Sequence, residues 1–226
     1  MRLASLIAFS FVCLAGAVAP AAATSNYRYG PDEYVAVEGG VSPDGRYSIA
    51  AHGNGEDGSE DFHLYLMAEP GHAKIADFEE LMPWLDTAPN GFDATWSPDS
   101  KYVALGYRLD RHLYAINNIY RIEGGRASAL FGPGLLHVMG IKAEDAVGVD
   151  FKNVTEHLVW SGPGRFRLSG HGTITVTPEL ARTLGKYGKR VEAPEPRQDD
   201  LVFFEYNIEA ECGIEGGSYK VLGVKP

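Results

Sequence analysis

Two stretches of this chain, Gly40 to Gly53 (GVSPDGRYSIAAHG) and Thr95 to Arg108 (TWSPDSKYVALGYR), spell the same order: Ser-Pro-Asp, then Gly or Ser, a basic residue, Tyr and an apolar run. Laying Ser42, Pro43, Asp44 and Gly45 on Ser97, Pro98, Asp99 and Ser100 sets an offset of 55 residues, and that offset also lays LYLM (Leu64 to Met67) on IYRI (Ile119 to Ile122). Two motifs that keep one spacing identify a repeated supersecondary unit. A further step of 55 lays FKNVTEHLVW (Phe151 to Trp160) on WSPDSKYVAL and ITVT (Ile174 to Thr177) on IYRI, a third, degenerate copy without the turn. The register predicts that Val41, Trp96 and Phe151 occupy equivalent buried places, each heading a strand.

Within a unit, Pro presets φ for a turn, Asp can bond back to the backbone, and Gly45 tolerates the reversal. The aromatic and β-branched runs RYSIAA and KYVALGY read as strands, with FHLYLM and NNIYRI as their hairpin partners. HGNGEDG and EGG read as loops. Further strands are expected at YVAVE (near Tyr34), HVMGI (near Val138), LVFFEYNI (from Leu201) and YKVLGV (from Tyr219). TPELARTLGKYGKR predicts one short helix near 178–190, capped by Thr177 with Pro178 in its first turn. AKIADFEELMPW is a weaker helical candidate, which Pro83 ends, and EAPEPRQDD reads as a surface linker.

These Ser-Pro-Asp stretches and their Leu/Ile-Tyr partners resemble the blade repeat of TolB-like and WD-type β-propellers. The resemblance implies a mainly β chain of propeller-like antiparallel blades, with structural turns and function in the loops. Either the chain ends complete a further blade, or the blades form an open stack.

The first residues, MRLASLIAFSFVCLAGAVAPAAATS, carry Arg2, an apolar run and small residues before Thr24, so residues 1–23 read as a secretory signal and 24–226 as a single β domain. Cys13 lies inside the apolar run, out of place for lipidation. Without the leader, 19 basic residues face 30 acidic ones, a formal charge of −11 in place of −10. Such a balance disfavours nucleic acid as a partner, and no apolar stretch after the leader is long enough to insert in a membrane. Cys212 remains alone in an acidic neighbourhood, which reads as a packed thiol.

The loop HGNGEDGSEDFH (His52 to His63) offers Asn54, Glu56, Asp57, Glu60 and Asp61 as oxygen donors for a hard cation. Its spacing does not match an EF-hand, and a solvated loop explains it as well. YRLDRHLYA (Tyr107 to Ala115) gathers Arg108, Asp110, Arg111 and His112, which either order a hairpin or anchor an acidic or glycan partner. The seven histidines lack the spacing of a zinc site. LSGHG is not a nucleophile elbow, GPGRF and GPGLL lack the lysine of a phosphate loop, and Glu79/Glu80 and Glu209/Glu211 are carboxylate pairs without an evident cleft.

The sequence therefore predicts an exported, non-catalytic binding module in the envelope or outside the cell. Its expected partner is a protein or glycan, with no cofactor and no metal. The alternatives are a small hydrolase or metal-dependent enzyme, or an inhibitor of a secreted or cell-wall enzyme.

Overall fold

The computed structural model describes residues 26–53, 62–78, 86–142, 151–192 and 200–226. The chain is mainly β. Its first eight strands form two four-stranded antiparallel meanders: β1 (Val35–Val41), β2 (Tyr47–His52), β3 (His63–Ala68) and β4 (Ala73–Asp77), then β5 (Phe92–Trp96), β6 (Tyr102–Asp110), β7 (Leu113–Glu123) and β8 (Arg126–Leu130). Helix α1 (Leu135–Met139) leads to β9 (Phe151–Gly162) and β10 (Arg165–Val176). Helix α2 (Pro178–Thr183) then precedes β11 (Gly188–Val191), β12 (Val202–Glu215) and β13 (Ser218–Lys225). Long antiparallel ladders join β9, β10 and β12, with β11 and β13 also on β12.

Parallel contacts connect these groups: Glu38 of β1 beside Asp93 of β5, and Leu113 and Tyr114 of β7 beside Val154 and Thr155 of β9. Among the described residues the strand order is one open path from β11 to β4, with β8 and β13 as side branches.

Strand β6 is buried on both faces from Val103 to Tyr107, its side chains alternating between two cores. Val103, Leu105 and Tyr107 of β6 pack with Ile49, Leu64, Leu66 and Phe92 in one core. Ala104 between them joins Ile119, Leu158, Phe166, Phe204 and Ile208 in the other. That is why YVALGY reads as an almost continuous apolar run. Two indoles pin neighbouring groups together: Trp96 Nε1 donates to Gly40 O at 2.8 Å, and Trp160 Nε1 to Thr95 O at 2.9 Å.

Several sequence expectations need correction. Val41 and Trp96 close β1 and β5 instead of heading strands, because the Ser-Pro-Asp turn follows them. Trp96 is 8% exposed between the meanders, whereas Val41 is 60% exposed, having no indole donor and no core to enter. Phe151 does head a strand, but β9 runs unbroken to Gly162 where the other copies turn. VTEH contains neither Pro nor Gly to reverse it, so the third copy is an accident of spacing.

HVMGI is not a strand. Leu135 and Met139, four residues apart, bury one face of α1, and Gly140 at φ 92 caps it. Thr177 caps α2, its side chain accepting the amide of Leu180 at 3.2 Å. The helix stops at Thr183, a 3₁₀ turn covers Leu184–Lys186, and from Gly188 the chain pairs with β12 instead of remaining helical to 190. Within the weaker helical candidate, Ala73–Asp77 is β4, held to β3; residues 79–85 lie outside the described residues.

Candidate binding groove at the turn end

The two Ser-Pro-Asp turns share one wiring. In the first, Ser42 Oγ donates to Asp44 Oδ1 at 2.8 Å and accepts the Tyr47 amide at 3.0 Å. In the second, Ser97 Oγ donates to Asp99 Oδ1 at 2.7 Å and accepts the Tyr102 amide at 3.0 Å. Backbone bonds Gly45 N to Ser42 O and Ser100 N to Ser97 O, both 2.9 Å, close the turns. Gly45 and Ser100 both have positive φ, 67 and 58. Glycine adopts that conformation without penalty and serine does not, but the Ser100 hydroxyl accepts the Asp44 amide at 3.1 Å. Ser42, Ser97 and Ser100 are buried, while Pro43, Asp44, Gly45 and Pro98 of the same turns are exposed.

The residues after each turn differ in role. Arg46, Tyr47, Lys101 and Tyr102 line a recess of about 400 Å³ together with Arg121 and the Glu123–Gly124 corner. Adjoining recesses add Arg126, Ser128 and Gly217 on one side, and Arg165, Gly164 and Glu215 on the other. Together they form a groove across the turn end of both meanders and the β9–β10 and β12–β13 hairpins.

Two guanidiniums lie over rings, Arg46 over Tyr47 (5.6 Å) and Arg121 over Tyr102 (5.9 Å), and Tyr102 stacks on Trp160 (5.8 Å). The Arg121 guanidinium also donates to Gly216 O. The nearby acids are largely engaged. Asp44 bonds Arg46 and Ser42, and its carboxyl lies below its ordinary range: burial raises it, but the Arg46 amide, the Arg46 guanidinium and the Ser42 hydroxyl together lower it more. Glu215 is paired with Lys220 at 2.5 Å, and that bond lowers its carboxyl. Glu123 has no ion pair among the described residues. A set of guanidinium and ammonium donors with aromatic faces, on a chain of net charge −10, can hold carboxylate or phosphate oxygens and stack planar groups.

The β6–β7 hairpin residues singled out from sequence lie at the other end of those strands. Glu56, Asp57, Glu60 and Asp61 are outside the described residues. Arg108 is held inside the fold: its Nε and Nη2 donate to Asp86 at 2.8 and 2.6 Å, with side chains 15% and 3% exposed. Asp110 Oδ1 accepts the His112 amide at 3.2 Å, a local bond shaping the hairpin whose tip is Arg111 and His112, both exposed. Glu209 and Glu211 share Lys225 at 3.5 and 3.4 Å on the solvent side of β12. Burial pushes the Cys212 thiol up to about 11. Among the described residues no three of His, Cys, Asp and Glu converge as a metal site would require.

Two of the other strongly perturbed ionisable groups lie on β7 and β9. Glu156 accepts the Ile116 amide at 3.1 Å where β7 and β9 diverge, and burial raises its carboxyl to about 7 against that bond. Tyr114 is raised by burial and by its hydrogen bond to Asp93, which it makes by reaching over Gly106 of β6 from β7 to β5.

The groove itself was missed as a site, although the repeated basic residue and Tyr after each turn, and the Arg within IYRI, were its signal. Comparison with protein-family models, curated proteins and solved structures gives no match.

Proposed function

We propose that this chain is an exported, non-catalytic binding module built from propeller-type blades, whose ligand face is the groove at the turn end. The blade reading draws support from the two identically wired meanders stacked through Trp96, with β1 and β5 side by side and parallel. Export rests on the leader read in residues 1–23, and N-terminal sequencing of extracytoplasmic protein should find a start at or near Thr24. The observation that carries the binding reading is that Arg46, Lys101, Arg121, Tyr47 and Tyr102 line one recess of a chain of net charge −10. Anionic protein segments and acidic glycans fit this chemistry, and like-charge repulsion from the rest of the surface would restrict them to the groove.

Titration calorimetry with poly-glutamate and with polygalacturonate tests the reading. Binding of at least one at low salt, weakened at 0.5 M salt, is expected. No binding of either would overturn it.

The alternative, a small hydrolase, draws on Glu156, whose carboxyl near neutrality has the range of a general acid or base. Its oxygen is already committed to the Ile116 amide within the sheet seam. That bond accounts for the carboxylate structurally.

A further inference from the structure

Strand β8 is the terminal member of its meander, and among the described residues only part of its outer edge is covered. The Glu123-Gly124-Gly125-Arg126 hairpin, with φ 58 and 75 at its two glycines, sets the pairing of β7 with β8. Ile122 N bonds Lys101 O on the β6 side, so Ile119, Arg121 and Glu123 point their backbone groups at Leu130, Ser128 and Arg126. The intervening Ala127 and Ala129 therefore direct their amides and carbonyls outward, where they have no partner among the described residues. Two residues on, that same outer edge is occupied: Phe131 N donates to Gly217 O at 3.3 Å and Tyr219 N to Phe131 O at 2.9 Å, a parallel bridge to the start of β13. Chain then turns away at Gly216 and Gly217, and the recess beside Arg121, Arg126, Ser128 and Ala129 takes its place.

We propose that the open edge of β8 takes a short, extended acidic peptide as an added strand, continuing the line that β13 begins beside Phe131. This rests on the binding reading above and names its ligand class. Charge and face select the occupant. Arg121, Arg126 and Ser128 stand on one face of the β7–β8 pair, so a strand laid beside β8 presents every second side chain to two guanidiniums and a hydroxyl, which acidic residues satisfy. On the other face lie Ala127, Ala129 and the half-exposed Ile75 of β4, whose Cδ1 approaches Gly125, and here small apolar residues fit. Glu123 at the corner disfavours a longer acidic run past Arg126. An unpaired edge of this kind otherwise invites indiscriminate pairing, and the two arginines would restrict it to acidic strands.

The probe is an acetylated, amidated heptapeptide of alternating glutamate and valine, titrated against the full chain by calorimetry. Two further versions carry N-methyl groups, one on the glutamate amides and one on the valine amides; a fourth has lysine for glutamate. In an added strand only one alternate set of amides faces β8, so one methylated version should bind at least tenfold more weakly and the other within about threefold of the parent. The lysine peptide should not bind the wild type but should bind Arg126→Glu, which in turn loses the glutamate peptide. Ala129→Pro, which removes an outward amide, should weaken binding at least tenfold; if that variant does not fold, the methylated peptides still decide. Equal effects of the two methylations, whether both bind or neither does, would overturn strand addition while leaving an anion-binding groove. Failure of the glutamate peptide alongside bound poly-glutamate or polygalacturonate would also overturn it, and failure of all three would overturn the binding reading as well.

Discussion

The amide of Asp44 donates to the hydroxyl of Ser100 at 3.1 Å, so the turn of one meander is fastened to the turn of the next. Ser100 holds a left-handed conformation, φ 58, at the position where the first turn uses Gly45. The two effects oppose each other and can be separated. Ser100→Ala deletes the bond and should lower stability by about 1 kcal/mol. Ser100→Gly loses the same bond but relieves a left-handed residue, a gain of about 1 kcal/mol, and should be close to neutral. Chemical denaturation of the two variants checks the order; an alanine variant as stable as the glycine one would contradict it.

The ion pair between Arg108 and Asp86 should behave as a buried one. Arg108→Ala takes the guanidinium away from a carboxylate that is 3% exposed and should destabilise by about 3–5 kcal/mol. Adding Asp86→Asn to that variant should recover a large part of the loss, which paired thermal melts would show. A loss under about 0.5 kcal/mol on Arg108→Ala would return this residue to the solvent-exposed role its sequence neighbourhood suggested.

Glu156 sets a pH dependence. Its carboxyl is raised from 4.5 to about 7 by burial, so the native state holds its proton more tightly than the unfolded chain does. The stability this lends is full below pH 4.5 and is lost as pH rises through 7. Glu156→Gln keeps an acceptor for the Ile116 amide without a charge, and so should be more stable than wild type at pH 8 by up to about 3 kcal/mol. The difference should vanish below pH 4.5. Melting curves at both pH values test it, and an equal difference at the two would exclude titration of this group.

Strand content was legible in the sequence because aromatic and β-branched runs alternate with turn residues of specific chemistry; β2, β3, β6, β7, β12 and β13 all arise this way. The Ser-Pro-Asp wiring was legible too, since Ser, Asp and Gly each do a local job there. What failed was non-local. Phe151 matched the spacing of Trp96, but spacing does not reveal whether a strand is broken, and VTEH does not break one. Val138 and Met139 looked like strand residues because a five-residue helix is too short to display its period. Arg108 looked like surface because its partner, Asp86, lies 22 residues away in sequence. The groove was half visible: Arg46, Tyr47, Lys101 and Tyr102 belong to the repeat, while Arg126 and Arg165 come from hairpins whose placement no local pattern encodes.

The most direct test of the groove as ligand face compares two pairs of exposed positions at different places in the fold. Poly-glutamate affinity should be measured by calorimetry for Lys101→Ala with Arg126→Ala, which remove two cations from the turn end, and for Arg111→Ala with His112→Ala, which truncate the β6–β7 tip, with melting curves for both. Loss of at least tenfold in affinity for the first pair, with the second within about twofold of wild type and both proteins folded, is the expected result. Equal losses, or a larger loss at the β6–β7 tip, would contradict the assignment of the turn end as the binding face.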